Sequence, residues 1–176
     1  MSEVKLVKPQ LKHKEDAENF KQEFFDHGEK IINGSSLFDQ MNYEDWLLHL
    51  EKNSSPKTVD ENWVVADTFF AVETQNEKIV GIIDIRHNLE NDLLKNYAGH
   101  IGYATRPSER KKGYATKMMQ EALMITKKLN IKTVMIGCNS DNEASKKVIE
   151  KSGGKLVEKK LYIDSTPINI YNIEIQ

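Results

Sequence analysis

The chain has 176 residues, 30% of them charged, yet its net charge is only −2. That length supplies one domain with its own core, and the balanced charge excludes a general nucleic-acid binder, which would be basic. A single cysteine, Cys138, excludes an internal disulfide, and no apolar run reaches membrane-spanning length. The N-terminus lacks the apolar core of a signal peptide. The expectation is one soluble cytoplasmic domain over residues 1–176, with no membrane or nucleic-acid partner.

Residues 4–8 predict a short first strand, ended by Pro9. Residues 15–27 predict a helix, with Phe20, Phe24 and Phe25 at near-helical spacing and Gly28 as a stop. Residues 31–40 are loop-like and carry Asn33, Gly34, Ser35 and Ser36. A second helix is predicted over 43–52, with Trp46, Leu47 and Leu50 on one side, followed by a polar connector over 53–62. Residues 63–72 and 78–87 are rich in Val, Ile and Phe and predict a β-hairpin. Residues 88–98 fit either a short helical turn or a loop. A strand over 100–105 leads to a long helix over 113–129, whose apolar face is Ala115, Met118, Ala122, Ile125 and Leu129. Then come a strand over 133–138, a helix over 142–152 closed by Gly153-Gly154, and two strands over 155–163 and 168–175. The order β-α-α-β-β-β-α-β-α-β-β defines a mixed α/β (α+β) domain. Three successive strands with no clear crossover helix disfavour a fully parallel doubly wound sheet.

The stretch Arg110-Lys111-Lys112-Gly113-Tyr114-Ala115 lies between the strand over 100–105 and the long helix. A helix start offers N–H groups without intrahelical acceptors, and its dipole favours negative charge. Arg110, Lys111 and Lys112 add full charge. Gly113 lets the backbone approach a ligand closely, and Ala115 keeps the helix start narrow. The turn reads as a phosphate or pyrophosphate seat, or as a solvated basic loop. It contains neither a Walker sequence nor a dinucleotide-binding glycine fingerprint.

A second motif, Asn142-Glu143-Ala144-Ser145, opens the helix that ends in Gly153-Gly154. Taken with Arg110-x-x-Gly113-x-Ala115, it resembles the GNAT superfamily of acyl-CoA-dependent N-acetyltransferases. That superfamily carries an Arg/Gln-x-x-Gly-x-Gly/Ala turn and, one strand later, an Asn-x-x-Ala/Ser helix. The element order is similar over nearly the whole chain; before Trp63 only the β-α-α order matches. The resemblance implies a central, mostly antiparallel, twisted sheet with splayed middle strands, flanked by about four helices. It implies acetyl-CoA as acyl donor, no metal, and direct attack in a ternary complex by a primary amine of a small molecule or peptide. Tyr103, Ala104 and Thr105 match the strand whose splayed end pairs with pantetheine amides. Arg110, Lys111, Lys112, Gly113, Tyr114, Ala115 and Thr116 match the pyrophosphate turn. Asn142 and Ser145 match the helix that flanks pantetheine, although Asn142 also reads as an ordinary N-cap and Ser145 as a small packing residue. A homodimer is left open.

His100 matches a position where many members carry a glutamate that serves as general base. An amine is mostly protonated at neutral pH, and an imidazole with a pKa of roughly 6.5 can take that proton. The other reading is a histidine bonded within the sheet. Asp84 and Arg86 share a strand face opposite Ile83 and Ile85. Either they face the acceptor groove, Asp84 attracting an amine and Arg86 a carboxylate or phosphate, or they belong to a solvent-facing cross-strand ion pair. Cys138 reads as a small buried residue and not a nucleophile. Where many members carry a tyrosine that protonates the leaving thiolate, this chain has Ile149 or Val148, so no general acid is assigned. That loss supports the alternative reading, a non-catalytic acyl-CoA-binding regulatory or interaction module.

Overall fold

The computed structural model describes residues 2–176. Strands β1 (Val4–Val7), β2 (Ala66–Glu73), β3 (Lys78–Arg86) and β4 (Ile101–Thr105) form one antiparallel sheet in that spatial order. Strands β5 (Thr133–Asn139), β7 (Pro167–Glu174) and β6 (Lys155–Leu161) form a second, with β7 in the middle. Among the described residues one isolated bridge, Gly99 with Ile136, links the two. The fold is the mixed, mainly antiparallel one expected, but its middle is divided into two sheets.

The apolar pattern of β3 explains the layering. Ile83 and Ile85 join Met118, Met119, Val134, Ile136 and Tyr171 in one core. Ile79 and Ile82 enter another with Phe20, Phe24, Phe38, Tyr43, Trp46 and Phe70. Helices α1 (Lys14–Asp26) and α2 (Tyr43–Asn53) therefore cover one face of the first sheet, and α3 (Tyr114–Lys128) covers the other. Ala71 pairs with Gly81 and Val72 with Ile79, which leaves Val80 unpaired. This bulge is why Ile79 and Ile82, three residues apart, share a face.

The second core also fixes the loop over 31–40. Phe38 stacks on Trp46 with ring centroids 4.4 Å apart, and Trp46 Nε1 donates to Ser35 O at 2.8 Å. Asn42 caps α2 by accepting from Asp45 N at 2.9 Å. Two expectations change in detail. Strand β2 begins at Ala66, opposite the last residue of β3, so Trp63 lies outside it. The segment over 88–98 resolves into a helical turn, Leu94–Ala98, of π type, with Leu94 buried.

Arg106 fastens α1 to the turn after β4. Its buried guanidinium bonds Glu23 Oε2 at 2.7 Å, Asp16 Oδ1 at 2.9 Å and Ile79 O at 3.0 Å. Glu23 Oε1 also accepts from Ser108 N at 2.6 Å. Burial pushes the Glu23 carboxyl up, but the bonds from Arg106 and Ser108 outweigh it and hold it down at about 2. A carboxyl depressed in the folded state stabilises above its ordinary value of 4.5, and that contribution is lost as pH falls towards 2. Glu23→Gln is expected to cost about 1–2 kcal/mol at pH 7. Its deficit relative to the parent should shrink as pH falls from 4.5 to about 2. Urea melts at stepped pH check this; a deficit that stays constant would remove the ion pair from the stability of the turn.

Candidate active site

The chain changes partners at His100. Its N–H donates to Met135 O in the second sheet at 2.8 Å, while its C=O accepts from Arg86 N in the first at 2.8 Å. From there β4 pairs with β3 alone, Gly102 opposite Asp84 and Ala104 opposite Ile82, and Arg106 N donates to Val80 O. The even-numbered residues thus bond β3. Antiparallel alternation turns the N–H and C=O groups of Ile101, Tyr103 and Thr105 the other way, into the gap. Strand β5 bears away to pair with β7. A cleft of about 790 Å³ opens between them, walled by Tyr103, Ala104 and Thr105 on one side and by Gly137, Cys138 and Asn139 on the other.

The basic turn closes one end of the cleft. Gly113 caps α3 at φ +83°, a left-handed conformation that glycine adopts at no steric cost. Arg110, Lys111, Gly113, Tyr114, Ala115 and Thr116 line the cleft, whereas Lys112 does not. Most of the side-chain charge is already engaged. Arg110 holds Glu29 through two bonds of 2.6 and 2.8 Å and reaches Thr105 O at 3.2 Å. Lys112 binds Glu109 at 2.9 Å. Lys111 has no ion-pair partner among the described residues. What the turn presents to a ligand is mainly the N–H groups of the first turn of α3, which have no intrahelical acceptor.

Helix α4 (Glu143–Lys151) supplies the facing wall. Asn142 caps it by accepting from Ser145 N at 3.0 Å, and both residues line the cleft. Ser145 Oγ meets Tyr103 Oη at 2.6 Å, joining the two walls. Burial pushes the Tyr103 phenol up to about 12, and the Ser145 bond offsets only part of that. Both residues are named in the sequence as neighbours of pantetheine, yet their pairing was not foreseen. The only signal for it was alternation, which turns Tyr103 to the same face as Ile101. Ile149 is fully buried in the core and Val148 lines the cleft, so the hydroxyls enter from Ser145 and Tyr103 instead.

His100 is brought close to the cleft but does not line it. Its Nδ1 accepts from Met135 N at 3.0 Å, which places the imidazole proton on Nε2. Burial, then the charge of Arg86, pushes the ring down to about 4. The geometry therefore fits the histidine bonded within the sheet and not the base. Asp84 is also buried and absent from the cleft wall. It accepts from Thr68 Oγ1 at 2.9 Å and lies 2.9 Å from Arg86 Nε. The pair is formed, but along one strand and buried, not solvent-facing. Arg86 alone of the two lines the cleft.

Splayed strands, a glycine-capped anion turn and an asparagine-capped helix thus occur in the order that marks one enzyme class. The family model for the acetyltransferase (GNAT) domain matches residues 10–155. The chain belongs to the GNAT family of acetyl-CoA-dependent acetyltransferases. Solved structures share the fold. RimL, the ribosomal L7/L12 alpha-N-protein acetyltransferase in complex with coenzyme A, superposes with a TM-score of 0.70 at 18% identity, covering 99% of this chain and 96% of that one. MccE, a microcin self immunity acetyltransferase in complex with acetyl-CoA and AMP, gives 0.66 at 20% identity, covering 98% and 93%. A GnaT-family acetyltransferase from Bordetella pertussis gives 0.69 at 10% identity, covering 98% and 97%. No curated protein matches. Among the described residues no helix is long and apolar enough to cross a membrane.

Two outcomes follow from the geometry. Gly113→Val puts a branched side chain at φ +83°. It should cost about 1–2 kcal/mol of stability and weaken coenzyme A binding about tenfold or more, as read by calorimetric titration. Unchanged affinity would place the anion elsewhere. In an NMR titration His100 should stay neutral until about pH 4, with its Nδ1 the unprotonated nitrogen. Its stability contribution follows the same sign: the unfolded ring binds protons below 6.5, so stability falls as pH drops from 6.5 to about 4. A midpoint near 6.5 would restore His100 as a base.

Proposed function

We propose that the protein transfers an acetyl group from acetyl-CoA to a primary amine, by direct attack within a ternary complex. The observation that carries this reading is the divergence of β4 from β5, which leaves the N–H and C=O groups of Ile101 and Tyr103 without a strand partner, facing a cleft that ends at a helix N-terminus. An extended chain of amides adds to such an edge as a strand would. Its terminal pyrophosphate suits the N–H groups beyond Gly113. The residues present fit the donor: the edge supplies the pairing, Gly113 the close approach, and the engagement of Arg110 and Lys112 with carboxylates leaves the backbone to hold the phosphates.

In this reading, the N–H of Tyr103 points into the gap and stabilises the oxyanion as the amine adds to the thioester carbonyl. The C–N bond forms, the C–S bond breaks, and the thiolate leaves. The Ser145–Tyr103 hydroxyl pair lies in the cleft where a proton can be handed to that sulfur. Tyr103, kept protonated by burial, lies within hydrogen-bond reach of Ser145, so the proton can pass through the pair, which is refilled from solvent. Water, not His100, takes the proton from the amine.

The competing reading is a binding module without turnover, suggested by the apolar Ile149 and Val148. The hydroxyl pair weakens that argument, because a donor is present by another route. Incubation with acetyl-CoA and a panel of amines, followed by free-thiol release, separates the two; binding without release for every amine would favour the module. Ser145→Ala is expected to lower kcat about 10²-fold with little change in the KM for acetyl-CoA. An unaffected kcat would remove the pair from proton transfer.

A further inference from the structure

Arg86 is a cation in the cleft wall away from the basic turn, and nothing in the proposed donor site uses it. It projects from the end of β3 on the face covered by α1 and α2 and lines the cleft with Asn33, Gly34, Ala98, Ile101 and Gly102. Its side chain is only 12% exposed. The guanidinium is held from behind. Nε lies 2.9 Å from Asp84 Oδ2, although its N–H is not aimed well enough to make a hydrogen bond. Nη1 reaches Gly99 O at a long 3.4 Å, and among the described residues no acceptor is hydrogen-bonded to Nη2. A buried arginine with most of its fork unfilled is expensive, since charged groups taken from water need hydrogen-bonding partners.

The surroundings leave room beside the guanidinium. A Cβ on Gly102 would sit 3.0 Å from Nη2 and 3.3 Å from Nη1, so glycine is what leaves the fork room beside the strand. On Gly34 a Cβ would fall 2.2 Å from Gly102 O, so the loop over 31–40 presses its bare backbone against β4 at this point. The loop is pinned there by Trp46 through Ser35. The carboxylates of the cleft wall, Glu29 and Glu109, are engaged with Arg110, Lys78 and Lys112 at the opposite end, where Arg110 and Lys111 also line the cleft. The positive field of Arg86 reaches His100, whose ring it helps keep neutral.

We propose that Arg86 determines acceptor specificity by binding a carboxylate carried near the acceptor amine, an inference that rests on the acetyltransfer reading above. The planar fork matches a carboxylate through two parallel N–H bonds. A carboxylate fits better than a phosphate because Asp84 already shares the arginine charge, and a second negative charge on the ligand would confront it. Asp84 is the positioning residue: it orients the guanidinium from outside the cleft, with Thr68 fixing its own carboxylate. The acceptor is then an amino acid, or a peptide whose first residue is acidic.

The test compares matched acceptors by thiol release, with rates taken per deprotonated amine. Small amino acids with one to three carbons between amine and carboxylate are set against their carboxamides. A short peptide beginning with aspartate is set against its asparagine counterpart, and phosphoethanolamine supplies the phosphate arm. The carboxylate is expected to be favoured about 10- to 100-fold in kcat/KM, and whichever pair shows this names the source. Arg86→Gln should abolish the preference. Because that change alone leaves Asp84 buried without its cation, the double variant with Asp84→Asn is measured as well, and acetyl-CoA affinity confirms that each variant is folded. Gly102→Ala should reduce the preference by crowding the fork. Acetylation with equal rates for acid and amide, a preference that survives both Arg86 variants, or a preference for phosphate would overturn the inference and leave acetyltransfer standing. Thiol release from no amine at all would overturn both.

Discussion

The divergence of β4 from β5 is the constraint on which the rest of the molecule depends. Backbone N–H and C=O groups in a folded protein are almost always paired, and an unpaired strand edge near the centre of a fold is a cost. Here that cost is kept because neither strand is free to close the gap. Strand β4 is committed to β3, and β5 to β7 along its whole length. The bridge at Gly99 and the two bonds between His100 and Met135 fix the point of the wedge. Further out, Tyr103 and Ser145 hold the walls at a set separation through their hydroxyls. A ligand that brings its own amides relieves the unmet pairing without disturbing either ladder.

A second feature follows from the first. An open cleft ending in a basic turn would be poorly ordered if its lysines and arginine swung in solvent. Carboxylates from the α1 side prevent that: Glu23 takes Arg106 and Ser108, and Glu29 takes Arg110. Within and beside the turn, Glu109 bridges Lys78 and Lys112. The result is a turn whose side chains brace it and whose backbone, in the proposed reading, faces the ligand. Fixed peptide dipoles at a helix start lose no side-chain entropy when an anion arrives, which suits a seat used at every turnover.

What the sequence made legible was local. The spacing of Met118, Ala122 and Ile125 defines α3, Gly113 marks its start, and Asn142 caps α4 as its residue type suggests. The hairpin of β2 and β3 follows from composition. Contacts between distant segments were not legible. Nothing near Arg110 indicates that Glu29 will occupy it, and nothing near Tyr103 indicates Ser145. His100 shows why alternation alone misleads. The pattern of a strand assigns its side chain to one face, but the backbone exchanges one sheet for another at that residue, and the imidazole acquires Met135 N as a donor. Asp84 and Arg86 were legible as a pair on one face. Their burial was not, because it arises from tertiary packing between distant segments, such as the approach of Gly34 to Gly102.

In the proposed reading, where water and not His100 takes the proton of the amine, the demands on the acceptor change. The carboxylates in the cleft wall, Glu29 and Glu109, are tied to cations at the phosphate end, so in the proposed reading the attacking amine gives its proton to water. The attacking species is then the neutral fraction present in solution, which is about 400-fold scarcer for an ammonium of pKa near 10.4 than for one near 7.7 at pH 7. Arg86 acts in the same direction before its carboxylate is bound, since a nearby positive charge disfavours a second one. Once the carboxylate fills the fork, that effect fades, and what remains is orientation: one end of the acceptor fixed to the guanidinium, the other directed along β4 towards Tyr103. Positioning of this kind substitutes for a base by raising the fraction of encounters in which a neutral amine faces the thioester.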